Sequence, residues 1–211
     1  MGQPVFKTVA YNDQKHNTYH EGCSRYNKAM QQRFYYEALL IDYALVEDRL
    51  RSWLYHIGVF AGWKDRRACR KTRPQILEMV RAHEKRDVSS LRLMNMSGKA
   101  GVIRATLGWH AANDVCPSAD VYQSVLWRQY ERELDCARAE EILHALSSWC
   151  ERRNELVHGL MNKDVTLLEP QLQPLCEEGF DLFRELDKRV GKVSKGHTIR
   201  HALKLPTESY K

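Results

Sequence analysis

Apolar residues recur at steps of three and four along much of this chain, and that spacing constrains the fold more than any other feature. Between residues 25 and 57 the series is Leu39, Tyr43, Val46, Leu50, Trp53 and Ile57. Such a period places the whole series on one face of an α-helix. Strand-like alternation of apolar and polar residues is absent. The sequence therefore predicts an all-α fold, an antiparallel helical bundle of roughly four to six helices with a long first helix.

The 211 residues divide into a helical region and two flanking segments. Residues 1–24 are polar and show no clear period, which predicts an irregular N-terminal arm. A helical bundle is expected over residues 25–190, and residues 191–211 are expected to form a loose, basic C-terminal tail. Ser24 and Gly58 would cap the first helix, about 50 Å long, and helices of that length often kink or break.

Further helices are indicated by their start and stop signals. They are predicted over about 74–87, 121–158 and 168–190. Gly159 is placed to end the second of these, and Pro170 and Pro174 weaken the first turns of the last. The segment 89–114 mixes apolar residues with glycines and receives no assignment.

The composition excludes several classes of protein. No run approaches the roughly 18 apolar residues of a membrane-spanning helix, and the N-terminus lacks the apolar core of a secretory signal. Six cysteines show no C-x-x-C pair and no matched spacing, which argues against zinc and disulfides and favours a reduced, cytoplasmic protein. A net charge of +6 permits a polyanionic partner without requiring one.

The stretch ERRNELVHGL, residues 151–160, puts charged and polar residues into an otherwise apolar helix. On a helical projection Arg153 lies near the centre of the apolar stripe, whereas Asn154 and His158 lie one turn apart on its polar flank. An ionised guanidinium in such a position is costly unless it is paired and hydrogen-bonded. The stripe consists of Ile142, Leu146, Trp149, Leu156, Val157 and Leu160.

Two interpretations of Arg153 remain open at this point. In the structural one, Arg153 forms a salt bridge with Glu47 or Asp42 of the first helix and holds two helices in register. In the functional one, the guanidinium stays available because a ligand or a second subunit completes its surroundings. The structural alternative for His158 is a partly exposed surface histidine, and for Asn154 a polar residue of the last helical turn.

The series Arg153-Asn154-x-x-x-His158, with Gly159 after it, resembles the motif of the HEPN superfamily. In that motif an Arg and a polar residue, often Asn, precede a His near the end of a late helix of an all-α bundle. The resemblance covers roughly residues 25–190, but only the motif is specific. Arg51 and His56 share the bare spacing; Asn154, the late position and Gly159 distinguish the 153–158 series.

The resemblance implies a metal-independent endoribonuclease that needs no cofactor. His158 would act as acid or base while the RNA 2′-hydroxyl attacks, Arg153 would stabilise the phosphorane, and Asn154 would orient one of the reacting groups. It also implies a homodimer with a composite active site, its two-fold interface around Trp149 to Leu160. The protein is expected to be a toxin or an antiviral-defence effector, with an antitoxin or a regulatory protein as a partner. The alternative is a catalytically silent HEPN-like module that binds RNA or protein.

Residues outside the motif supply the remaining candidates. Glu47, at the edge of the apolar face of the first helix, is the expected supporting residue of the site. No His, Cys, Asp or Glu spacing predicts a metal site. Basic residues of a connector would track an RNA backbone, and their alternative is a solvated loop. These candidate RNA-binding residues are Arg66, Arg67, Arg70, Lys71 and Arg73.

Overall fold

Five α-helices make up the part of the protein that the structure describes. This computed structural model describes residues 12–56, 95–112, 132–133, 135–159 and 165–202. No strand occurs within these ranges, which confirms the all-α prediction. None of their helices combines the length and the apolarity that crossing a membrane requires. The helices are α1 (Asn12–Gln31), α2 (Tyr35–His56), α3 (Met96–Ala112), α4 (Cys136–Gly159) and α5 (Val165–Ala202).

The central pair of helices, α2 and α5, is parallel. Tyr35 Oη donates to Gln173 Oε1 over 3.0 Å, and Arg49 Nη1 donates to Asp187 Oδ1 over 2.8 Å. Both contacts join residues 138 positions apart, so the two helices advance together. The predicted antiparallel arrangement is wrong for this pair. Sequential helices with short loops become antiparallel, but α2 and α5 are far apart in the sequence, and that rule does not govern them.

Helices α1 and α4 run opposite to α5. The start of each of them lies against a later part of α5 than its end does. For α1, the ring of Tyr19 stacks on Phe183 and that of Tyr26 on Phe180, with centroids 6.2 and 4.2 Å apart. For α4, the contacts are Arg138 with Glu185, Trp149 with Leu175, and Arg152 with Glu178.

The predicted long first helix is interrupted at Arg33, and two helices, α1 and α2, take its place. Arg33 has a φ of 59°, in the left-handed region, and its N–H donates to Met30 O over 3.1 Å. The N–H of Phe34 donates to Ala29 O over 2.8 Å. These bonds satisfy carbonyls at the end of α1 and reverse the chain.

Residues 12–24, predicted as an irregular arm, belong to α1. Ser24 consequently lies inside a helix rather than at its N-cap. The physical reason is tertiary, because α1 buries Tyr26 and Ala29 against the rest of the core. Packing of this kind stabilises a helix whose own sequence is a weak guide to it.

The second half of the chain also departs from the predicted boundaries. The unassigned segment 89–114 contains α3, and the helix predicted over 121–158 is interrupted at Asp135, whose φ is 42°. Asp135 Oδ1 accepts the N–H of Arg138 over 3.3 Å, so Asp135 caps α4. The helix predicted over 74–87 lies outside the described residues.

Helix α5 is longer than predicted at both ends. It begins at Val165 and continues to Ala202, so residues 191–202 of the predicted loose tail are helical. Val190 and Val193 are buried, which extends the packed face beyond the predicted end. Pro170 and Pro174 lie inside the helix. Their cost is offset by burial of the neighbouring residues Leu168, Leu172 and Leu175.

Helices α4 and α5 approach closely at Gly179. A Cβ at this position would lie 2.7 Å from Trp149 Cζ2 and 3.0 Å from Asp42 Oδ2. Trp149 is fully buried and donates its indole N–H to Leu175 O over 2.9 Å. The indole therefore has no room to move away from a side chain at position 179.

We expect Gly179→Ala to lower the free energy of unfolding by about 1–3 kcal/mol, because the added methyl overpacks the contact with Trp149. Gly191→Ala is the matched control in the same helix, since nothing lies within 4 Å of its Cβ position. That control should gain about 0.5–1 kcal/mol from helix propensity. Urea denaturation measures both, and equal effects would contradict the close approach at Gly179.

Asp42 is a fully buried acid in the same region. Neither carboxylate oxygen has a hydrogen-bond partner among the described residues, and burial raises its pKa to about 8. Its titratable neighbours on adjoining helices are Cys23 and Tyr26 of α1 and Cys176 of α5. Asp42 is therefore protonated, and uncharged, in the folded protein at neutral pH.

We expect the stability of the protein to fall as the pH rises from about 4 to about 8. The folded pKa of Asp42, about 8, lies above the ordinary value of 3.8, so in this window the folded state holds a proton that the unfolded state has lost. Asp42→Asn imitates the neutral acid and should remove this slope, gaining on the order of a few kcal/mol over the wild type near pH 8.5.

Urea denaturation at several pH values between about 4 and 9 measures this slope. Asp181→Asn serves as the control, because Asp181 is exposed and its removal should leave the slope as it is. An Asp42→Asn variant with the same slope as the wild type would contradict the assignment to Asp42.

Candidate active site

Arg153 lies on the side of α4 that faces α2. Its Cζ is 4.4 Å from the ring centroid of Tyr43, a cation–π contact. Nη1 donates to the side-chain Oδ1 of Asn154 over 3.2 Å. Nε is buried and has no hydrogen-bond partner among the described residues. The half-buried guanidinium is thus held by an aromatic face and keeps donors for another acceptor.

The other buried or half-buried cations of the described ranges show how unusual this is. Each of them bonds a carboxylate, as expected for a desolvated charge, whereas Arg153 bonds none there. Arg153 is therefore a partly desolvated cation without a compensating anion among the described residues. The four compensated pairs are Arg49–Asp187, Lys99–Glu47, Arg104–Glu140 and Arg189–Asp135, at 2.8, 2.6, 2.6 and 3.0 Å.

The structural interpretation of Arg153 required a salt bridge with Glu47 or Asp42, and neither pair forms. Glu47, the predicted supporting residue, bonds Lys99 of α3 instead. Asp42 is buried beside Gly179, and its oxygens have no partner in the part of the chain that is described. Arg153 therefore does not hold α2 and α4 together through an ion pair.

Asn154 and His158 lie on the exposed flank of α4, as the helical projection predicted. They are one turn apart, so their side chains are neighbours. His158 is in the last turn, and the final residue of the helix is Gly159. Five residues at about 100° each put His158 about 140° around the axis from Arg153. The arginine and the histidine of one chain therefore project from different sides of α4.

The apolar stripe of α4 is covered by the chain itself. Ile142, Leu146, Trp149 and Leu156 are buried in the core, which confirms the predicted stripe for these four positions. Within the surface predicted to meet a second copy, around Trp149 to Leu160, the apolar residues Trp149 and Leu156 are therefore already packed inside one chain. The exposed or half-buried residues next to Arg153 are Glu151, Arg152, Asn154, Glu155, Val157 and His158.

Two residues of this region were not recognised as site residues from the sequence. Tyr43 belongs to the apolar stripe of α2, but it lies half-buried at the edge, under Arg153. Burial raises the pKa of its phenol, Glu47 raises it further, and Arg153 lowers it. Lys99 lies in the segment left unassigned. The available signal was a single lysine among the small residues Gly98, Ala100 and Gly101.

The predicted RNA-binding residues and the question of a metal site complete the comparison with the sequence. The basic connector, with Arg66, Arg67, Arg70, Lys71 and Arg73, lies outside the described residues. Within the described ranges, no group of three or more His, Cys, Asp and Glu side chains could hold a metal ion.

Comparison with known proteins does not identify this chain: no family model, no curated protein and no solved structure matches it. What the protein does must therefore be inferred from the 153–158 motif and from the contacts around it.

Because Arg153 bonds no carboxylate among the described residues, we expect Arg153→Met to change the free energy of unfolding by less than about 1 kcal/mol. Arg189→Met is the matched control. Arg189 donates to Glu133 O and to Asp135 Oδ2, both over 3.0 Å, and losing these bonds should cost about 1–3 kcal/mol. Urea denaturation compares the two variants. An equal loss would identify Arg153 as a structural residue.

Proposed function

We propose that the protein is a metal-independent endoribonuclease of HEPN type. The observation that carries this proposal is the half-buried guanidinium of Arg153, which bonds Asn154 but no carboxylate of the described residues and lies five residues before the exposed His158. A guanidinium without a carboxylate keeps donors for a phosphate, which it binds with a planar fork. An exposed imidazole can meet RNA and transfer a proton near neutral pH.

The proposed reaction uses the substrate's own nucleophile. The 2′-hydroxyl oxygen attacks the adjacent phosphorus, and the bond from phosphorus to the 5′-oxygen breaks, leaving a 2′,3′-cyclic phosphate and a 5′-hydroxyl. One proton leaves the 2′-oxygen and another is given to the 5′-oxygen, and His158 carries out one of these transfers. Arg153 stabilises the charge that develops on the phosphorane. Asn154 accepts from Arg153 through Oδ1, and its Nδ2 is left to donate to the phosphate.

We further propose that the site is completed by a second copy of the chain. Moving two protons calls for two groups, and one motif supplies one histidine. His158 and Arg153 also project from different sides of their helix, so a two-fold contact can bring the partner's His158 towards Arg153. Since Trp149 and Leu156 are buried within one chain, this contact would use the flank formed by Asn154, Val157 and His158.

An active ribonuclease in the cytoplasm has to be restrained until its activity is needed. We therefore place the proposed enzyme among toxin–antitoxin or antiviral-defence effectors, with an antitoxin or regulatory protein as a second partner. The basic connector residues, Arg66 to Arg73, are proposed to bind the RNA backbone.

Cleavage of RNA should depend on His158 and not on histidine in general. We expect His158→Ala to lower the cleavage rate of a mixed RNA pool by at least about 100-fold, because the proton transfer is lost. His144→Ala is the matched control, since His144 is also exposed on α4. Cleavage by the wild type should persist in excess chelator and leave 2′,3′-cyclic phosphate ends, which end-labelling and mass spectrometry detect.

The same experiment separates the alternatives. If the wild type binds RNA without cutting it, the protein is the catalytically silent binding module instead. If it neither binds nor cuts RNA, the proposed function is wrong. Growth arrest on expression, relieved by His158→Ala but not by His144→Ala, would support the enzyme in cells.

A further inference from the structure

Tyr43, which contacts Arg153, has the carboxylate Glu47 as a neighbour, and Glu47 does not bond Arg153. Glu47 is four residues after Tyr43 on α2, so the two side chains are neighbours on the helix surface. Tyr43 in turn carries the guanidinium of Arg153 on its ring, at 4.4 Å. The charges of Glu47 and Arg153 both act on the Tyr43 phenol. A change of side-chain rotamer would therefore bring Glu47 towards Arg153.

Glu47 forms its salt bridge with Lys99 rather than with Arg153. The Nζ of Lys99 lies 2.6 Å from Glu47 Oε1, and the Lys99 side chain is only 5% exposed. The residues around it on α3, Gly98, Ala100 and Gly101, are also buried. Replacing a buried ion pair with apolar side chains is often neutral or stabilising. Stability alone therefore does not account for a lysine at this position.

We propose that Lys99 is a positioning residue of the Arg153 site, which by binding Glu47 prevents this carboxylate from neutralising the guanidinium. Lys99 does not contact the substrate in this role. Without Lys99, Glu47 turns to Arg153 and competes with the RNA phosphate for the same donors. This inference rests on the proposed function, because it concerns the availability of Arg153 for a phosphate.

A double-variant experiment tests the role of Lys99. We expect Lys99→Met to lower RNA cleavage at least about tenfold, equivalent to about 1.4 kcal/mol of lost interaction with the phosphate. Adding Glu47→Gln to Lys99→Met removes the competing charge and should restore cleavage to within about threefold of the wild type. A merely structural ion pair predicts the opposite, since the double variant lacks the pair just as Lys99→Met does.

Two controls make the result specific. Arg104→Met removes the other ion pair of α3, with Glu140, and should leave cleavage unchanged. Thermal denaturation of every variant shows whether it is folded. A full rate in Lys99→Met, or a double variant as slow as Lys99→Met, overturns the proposal.

Failure of this inference and failure of the proposed function are distinguishable. Wild-type cleavage reports on the function, and rescue by Glu47→Gln reports on Lys99. If the wild type does not cleave, binding of a 2′-O-methyl RNA is measured in the same variants. Weaker binding by Lys99→Met, restored in the double variant, supports the role of Lys99 at a silent site. Absence of that pattern, or of any binding by the wild type, overturns it.

Discussion

The close packing of Trp149 against Gly179 helps to position the residues that follow Trp149 on α4, including Arg153. The indole is fully buried, donates to Leu175 O over 2.9 Å, and lies where a Cβ on residue 179 would be. This close contact limits how far α4 can shift or rotate against α5. Arg153 follows Trp149 by one helical turn and therefore points in nearly the same direction, towards α2 and the ring of Tyr43. The absence of a side chain at Gly179 thus contributes to the placement of Arg153 through Trp149.

The helical period of the sequence predicted which helix faces are buried, but it did not predict where the helices are interrupted. The stripes of α2 and α4 could be read from the sequence, because burial of one helix face imposes a period on apolar residues. The exposed positions of Asn154 and His158 followed from the same geometry. The breaks at Arg33 and Asp135 did not, since both have positive φ without being glycine. Local backbone bonds form at Arg33, and Asp135 bonds Arg189 of α5.

Ion pairing was the least predictable feature. The sequence placed Glu47 and Asp42 near the face that meets Arg153, and a paired arginine was a reasonable expectation on that basis. The choice of partner depends on a third helix, α3, which brings Lys99 to Glu47. Glycines obscured α3 in the sequence, although the helix tolerates them where Gly98 and Gly101 are buried. The apolar pattern of a single helix therefore does not predict which salt bridges form among several helices.

The two acids of α2 nearest to Tyr43 are neutralised in different ways. Asp42 loses its charge through burial, which raises its pKa to about 8, and Glu47 is neutralised by Lys99. If either were an available anion, Coulomb attraction would draw it to the nearby guanidinium and would repel an approaching phosphate. A half-buried arginine that bonds no carboxylate, as Arg153 among the described residues, is costly, and folded proteins retain such local conflicts mainly where function requires them. Because neither acid is an available anion, the described residues leave Arg153 free to bind the RNA phosphate that we propose as its partner.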